Sequence, residues 1–182
     1  MNVGQIYKAD CANGTGIRIS LFVSGCTIHC KGCFNSQTWD FHFGVPYDEK
    51  MENFILHELS RDFYEGITIL GGEPFEPSNQ EVLVKLVRRI KKELPTKSIW
   101  MFSGYVYDCD LIPGGKRYTE NTDEILNTID VLVDGPFKIE LRNIGLRFRG
   151  SENQRIIDMK QTRKLGKVIL HPAMQSVFES NP

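Results

Sequence analysis

Cys26-Thr27-Ile28-His29-Cys30-Lys31-Gly32-Cys33 places three thiols in the spacing C-x3-C-x2-C, close enough along the chain for all three sulfurs to reach one inorganic group. A four-iron cluster usually takes four cysteines. Three thiolates therefore leave one iron open, and an open iron can bind a substrate directly. The alternative is a structural zinc knot, since zinc favours four nitrogen or sulfur ligands in a closed tetrahedron. His29 adjoins Cys30 and could ligate beside it only with strain, so His42 or a distant cysteine would have to complete such a knot. Cys11 and Cys109 stand apart and read as small apolar residues or surface thiols. An odd count of five cysteines, three of them clustered, fits metal ligation in a reducing compartment better than a disulfide framework.

The elements around these cysteines read as alternating strands and helices. Ile17 to Val23 is a strand with apolar residues on both faces that runs straight into Ser24, Gly25 and the cysteine loop. Met51, Ile55, Leu59 and Phe63 recur every four residues and predict a helix after Pro46 and Asp48. Ile67 to Leu70 is a short strand that stops at Gly71-Gly72-Glu73-Pro74, where two glycines relax the backbone. Ser78 and Glu81 form a capping-box pattern ahead of a helix that Pro95 ends. Further strands are expected at Ile99 to Phe102, before Ser103-Gly104, at Val131 to Val133, before Asp134-Gly135-Pro136, and at Val168 to Leu170, with a short helix near Asp123 to Thr128. Such alternation predicts an α/β fold with a parallel sheet, in which ligands collect at the carboxyl ends of the strands. Those ends are Cys26 to Cys33, Gly71 to Pro74, Ser103-Gly104 and Asp134-Gly135.

At 182 residues with 41% hydrophobic positions the chain suits one domain, spanning 1–182, with residues 1–16 as an N-terminal extension and 159–182 as a C-terminal tail. Lys and Arg number 22 against 23 Asp and Glu, which gives no global electrostatic case for nucleic acid or an anionic membrane. The start of the chain has no apolar run of signal-peptide length, so a soluble cytoplasmic protein is expected. Lys138 to Lys167 is locally basic, with nine Lys or Arg against three acids, and reads either as a solvated face or as a dock for an acidic partner. His57 and His171 belong to no motif.

The cysteine loop after a first strand, followed by Gly71-Gly72-Glu73-Pro74 after a second, resembles the radical S-adenosylmethionine superfamily. That resemblance implies a partial (β/α) barrel with a mostly parallel sheet, a 4Fe-4S cluster on Cys26, Cys30 and Cys33, and S-adenosyl-L-methionine as cofactor, both at the carboxyl ends of the strands. The open iron would chelate the methionine amino and carboxylate groups, with the segment Gly71, Gly72 and Glu73 holding the amino group. One electron from the cluster would then break the sulfur to C5' bond and release a 5'-deoxyadenosyl radical. Gly32 stands where the superfamily often carries an aromatic residue against the adenine, and Phe34 is the candidate to supply that face. Ser103 and Asp134 are further candidates for cofactor contacts, Asp134 toward the ribose or methionine part. Its bland alternative is a turn residue capping local amides. Trp39 reads as either a cofactor neighbour or plain core.

Cys33-Phe34-Asn35-Ser36-Gln37-Thr38-Trp39 and Arg149-Gly150-Ser151-Glu152-Asn153-Gln154-Arg155 resemble the family of activating proteins of anaerobic ribonucleoside-triphosphate reductase. Asn13-Gly14-Thr15-Gly16, Ile99-Trp100 and Val131 to Gly135 agree with it in order and spacing. That resemblance implies hydrogen abstraction from a glycine of the reductase large subunit, with a flavodoxin- or ferredoxin-type protein as electron donor. An activase of another glycyl-radical enzyme such as pyruvate formate-lyase, a deazaguanine-forming radical enzyme, and a non-catalytic zinc-binding module are the competing readings.

Overall fold

Strand formation here follows runs of Ile, Leu and Val that bury side chains on both faces of one sheet. In the computed structural model, which describes residues 1–174, the chain runs β1 (Asn2–Asp10), β2 (Arg18–Val23), β3 (Val45–Pro46), α1 (Glu49–Leu59), β4 (Gly66–Gly71), α2 (Pro77–Glu93), β5 (Ser98–Phe102), α3 (Tyr107–Asp110), α4 (Thr122–Thr128), β6 (Val131–Asp134), β7 (Arg155–Asp158) and α5 (Met159–Leu165). Residues 175–182 of the expected tail lie outside the described residues. The strands form a seven-stranded mixed sheet in the order β3-β1-β2-β4-β5-β6-β7. The central β2, β4, β5 and β6 are parallel. Strands β1, β3 and β7 join antiparallel, which corrects the expectation of a mostly parallel sheet at both edges.

One face of the sheet carries Ile19, Leu21, Ile67, Ile69, Ile99 and Met101 against Ile55 and Leu59 of α1, Leu83, Leu86 and Ile90 of α2, and Ile125 of α4. The other carries Trp100, Val131, Val133 and Ile156 under Phe148 and Met174. Arg18 also lies on this second side, fully buried (0% exposed), where its guanidinium donates to Thr68 Oγ1 at 2.8 Å and to the carbonyls of Ile67 and Ser98 at 2.8 and 3.0 Å. Burial pushes this guanidinium down to about 10, against the pull of Glu65 and Asp130.

Several local expectations shift. Residues 1–16 are no bare extension, because β1 pairs with β2 and β3; its polar Gln5 and Lys8 face solvent and weaken the alternation that marks a strand. The α2 helix starts at Pro77 after Glu76, with no side-chain cap, so the Ser78/Glu81 pattern does not open it: Pro77, lacking an N–H, already suits the first turn. Phe63 falls beyond the end of α1 and is exposed. Val168 to Leu170 forms only an isolated bridge, Leu170 to Ile157, beside the β7 strand that the sequence pattern did not reveal.

Asp48 caps α1 by accepting from the Met51 amide at 2.8 Å. Asp48→Ala is expected to lower unfolding free energy by about 1 kcal/mol, measurable by urea denaturation.

Candidate functional site

The cysteine loop leaves β2 at its carboxyl end and is strapped on both sides. The Gly25 amide donates to the Thr38 carbonyl at 2.8 Å and the Cys26 amide to the Trp39 carbonyl at 3.1 Å, which seats the loop on the short 3-10 turn Ser36–Trp39. From β4, the Gly72 amide donates to the Val23 carbonyl at 2.7 Å and the Glu73 amide to the Gly25 carbonyl at 2.8 Å. A side chain at Gly72 would put its Cβ 2.5 Å from the Gly25 carbonyl oxygen, and Gly71 adopts φ of +114°, so both positions require glycine. These two glycines let the β4 turn lie flat against the cysteine loop.

The result is one pocket at the carboxyl ends of the parallel strands, onto which Cys26, Cys30 and Cys33 open together with Gly71, Gly72 and Glu73. Ser103 and Gly104 from the end of β5 and Gly135 from the end of β6 complete its polar rim. Ile28, Leu70, Phe102 and Phe137 form an apolar wall. Burial pushes the Cys26 thiol up to about 11; the amides of His29 and Ile28 oppose this, and the carboxylates of Glu73 and Glu76 add to it. The Cys30 thiol is also raised by burial, against the Phe137 amide.

Glu73 is 1% exposed and acts as a bracket between two loops. Its Oε1 accepts from the Phe75 amide at 2.8 Å and from Ser103 Oγ at 2.9 Å, and its Oε2 accepts from the Gly104 amide at 2.7 Å. Burial raises its carboxyl to about 7, with these three donors pulling it back toward the ionised form. Asn79, which sequence reasoning passed over, donates from Nδ2 to the carbonyls of Ser24 and Glu73 at 3.0 and 2.9 Å and so ties α2 to both loops.

Other candidates are placed differently from one another. Phe34 is 86% exposed and stands at the rim. Trp39 lines the pocket and stacks on His29 with ring centroids 4.5 Å apart. Gly32 is not among the lining residues; its φ of +75° turns the loop beside Ile139. Asp134 is also absent from the lining and is 1% exposed. Its Oδ1 accepts from Arg155 Nε at 2.9 Å and its Oδ2 from the Tyr107 amide at 2.8 Å, so its carboxylate is engaged in an ion pair at the end of β6. Gln154 and Phe137, not singled out from sequence, do reach the pocket. Gln154 lies in the quoted Arg149 to Arg155 segment, which was the available signal.

Among the described residues no three His, Cys, Asp or Glu side chains converge as tightly as a single bound ion requires. Cys26, Cys30 and Cys33 nonetheless open onto one pocket, a donor set of the kind that holds an iron-sulfur cluster.

Comparison with known proteins agrees with this chemistry. Residues 12–157 match the family described as a 4Fe-4S single cluster domain. The chain is 42% identical over 163 residues to the anaerobic ribonucleoside-triphosphate reductase-activating protein of Pasteurella multocida (strain Pm70), covering 88% of this chain and 99% of that one. It is 40% identical over 156 residues to the protein of the same name from Escherichia coli (strain K12), covering 85% and 96%. The protein of that name from Enterobacteria phage T4 is 36% identical over 156 residues, covering 86% and 93%.

Proposed function

This chain belongs to the family of anaerobic ribonucleoside-triphosphate reductase-activating proteins, and from that premise we propose that it is a radical S-adenosylmethionine enzyme that installs a glycyl radical on the large subunit of such a reductase. The observation that carries the reading is the shared pocket of Cys26, Cys30, Cys33 and the Gly71 to Glu73 turn at the strand ends. The parallel β2, β4, β5 and β6 with helices packed on one face are read as the partial barrel of that superfamily.

In this reading Cys26, Cys30 and Cys33 would hold the cluster, and the Gly71 to Glu73 turn beside them would receive the cofactor. When bound, cluster and cofactor supply a one-electron cleavage that makes a carbon-centred hydrogen abstractor. The backbone of Gly71, Gly72 and Glu73 orients the amino group, with Ser103 beside it. Phe34 would cover the adenine, with Trp39 as a further neighbour of the cofactor. Ile28, Leu70, Phe102 and Phe137 keep water from the reacting atoms, which matters because so reactive a species takes hydrogen from any neighbour within reach. Gly32 contributes the loop's turn, and Asp134 its tie to Arg155.

The reductant is proposed to be a flavodoxin- or ferredoxin-type protein, attracted by exposed cations such as Arg142 and Arg147. No helix among the described residues is long and apolar enough to cross a membrane.

Oxygen-free protein reconstituted with iron and sulfide, mixed with S-adenosylmethionine, reductant and the anaerobic reductase, is expected to give a glycyl-radical signal by electron paramagnetic resonance. A fully loaded preparation that yields the signal with pyruvate formate-lyase and none with the reductase would move the assignment to another activase.

A further inference from the structure

Beside the cysteine loop, outside the pocket lining, lies a polar cluster that the proposed chemistry does not use. Thr27, next to Cys26, donates from its amide and its hydroxyl to the same Glu76 Oε1, at 2.8 and 2.6 Å. Glu76 is 3% exposed and occupies the capping position of α2. The Thr27 hydroxyl also lies 3.2 Å from the Tyr105 hydroxyl, which accepts from Arg117 Nε at 2.6 Å. A second nitrogen of Arg117 reaches Thr27 Oγ1 and stands 3.6 Å from Glu76 Oε2. The guanidinium lies over the Tyr105 ring, 5.1 Å from its centroid. Arg117 is held by its backbone as well, its amide donating to the Asp110 carbonyl at 2.9 Å and its carbonyl accepting from Gln80 Nε2 at 3.0 Å.

Thr27, Glu76, Tyr105 and Arg117 are all absent from the pocket lining, so they act on its contents only through the loop and through their charge. An ion pair between a buried carboxylate and a guanidinium that is 21% exposed is a poor device for seating a loop, since well-packed apolar residues often serve stability as well or better. What it adds is a fixed field beside the loop, less screened at Glu76 than at Arg117. Cluster potentials respond to nearby charge and to hydrogen bonds around the ligating sulfurs.

We propose that Glu76 and Arg117 are positioning residues that fix the Thr27 end of the cysteine loop and, with opposite charges, set the reduction potential of the cluster the loop holds. This rests on the cluster reading given above. Reduction adds an electron: the Glu76 carboxylate opposes it and the Arg117 guanidinium favours it. Glu76→Gln keeps an acceptor for Thr27 while removing the negative charge, and Arg117→Gln removes the positive one.

The test is a redox titration of the oxygen-free holoprotein followed by electron paramagnetic resonance of the reduced cluster. Glu76→Gln is expected to shift the midpoint to more positive potential, Arg117→Gln to more negative potential, and the double variant to return close to wild type. A purely structural role gives shifts of one sign, or none, in variants that bind iron and sulfide as wild type does, and either result overturns the proposal. Should Arg117→Gln fail to take up the cluster, the sign of the Glu76→Gln shift decides by itself. Wild-type protein that takes up no cluster at all would instead remove the cluster reading, and this proposal with it.

Discussion

Alanine at any one of Cys26, Cys30 or Cys33 is expected to reduce 5'-deoxyadenosine formation to background, a loss on the order of 10³-fold or more, equivalent to about 4 kcal/mol of barrier. Each thiolate is one of only three protein ligands in the proposed site, and with two remaining the cluster lacks the grip needed to survive reduction. The loss is chemical rather than structural. Cys30 and Cys33 are half-buried pocket residues outside the hydrophobic core, so far-ultraviolet circular dichroism and thermal unfolding of the metal-free variants should match wild type. Cys11 and Cys109 are exposed and outside the pocket lining, and alanine at either should leave cleavage unchanged. Loss of cleavage in a folded Cys109→Ala protein would show that the ligands are misassigned.

Glu73→Ala has the second largest expected effect, because it acts on stability and on the site together. Removing the carboxylate orphans the amides of Phe75 and Gly104 and the hydroxyl of Ser103, all three in or beside buried surroundings. Each orphaned donor costs about 1–3 kcal/mol, a large share of the roughly 5–15 kcal/mol that holds a typical domain together. The β5 loop then loses its tether to the β4 turn, and cofactor cleavage should fall with it.

Glu73→Gln separates charge from contact through pH. The folded state holds the Glu73 carboxyl at about 7, above its ordinary value of 4.5, so between those values the folded protein binds more protons than the unfolded chain. The stability this group contributes is complete below about pH 4.5 and is lost as pH rises through about 7, on the order of 3 kcal/mol in all. Urea unfolding of the metal-free proteins should therefore show wild type losing stability relative to Glu73→Gln between those values. Parallel pH profiles for the two proteins would mean that the carboxyl is not held in its protonated form by burial.

The parts of the site legible in the sequence are those that depend on neighbours along the chain. The C-x3-C-x2-C spacing and the glycine turn directly after the β4 strand are local patterns, and β2, β4, β5 and β6 are short apolar runs bounded by turn residues. What escaped depends on partners far apart in sequence. Asp134 looks free at a strand end until Arg155, twenty-one positions on, occupies it. Thr27 reads as loop filler until Glu76 and Arg117, 49 and 90 positions away, close on it. Strand β1 was hidden because its solvent-facing Gln5 and Lys8 dilute the apolar alternation, and its pairing with β2, rather than its composition, makes it a strand.

The most direct test of the account is Mössbauer spectroscopy of iron-enriched, oxygen-free holoprotein recorded with and without S-adenosylmethionine. Three protein thiolates and an open corner predict that one iron in each cluster changes its isomer shift and quadrupole splitting when the cofactor is added, while the other three keep theirs. Four irons that stay unchanged in the presence of saturating cofactor, each already held by a side chain, would contradict it.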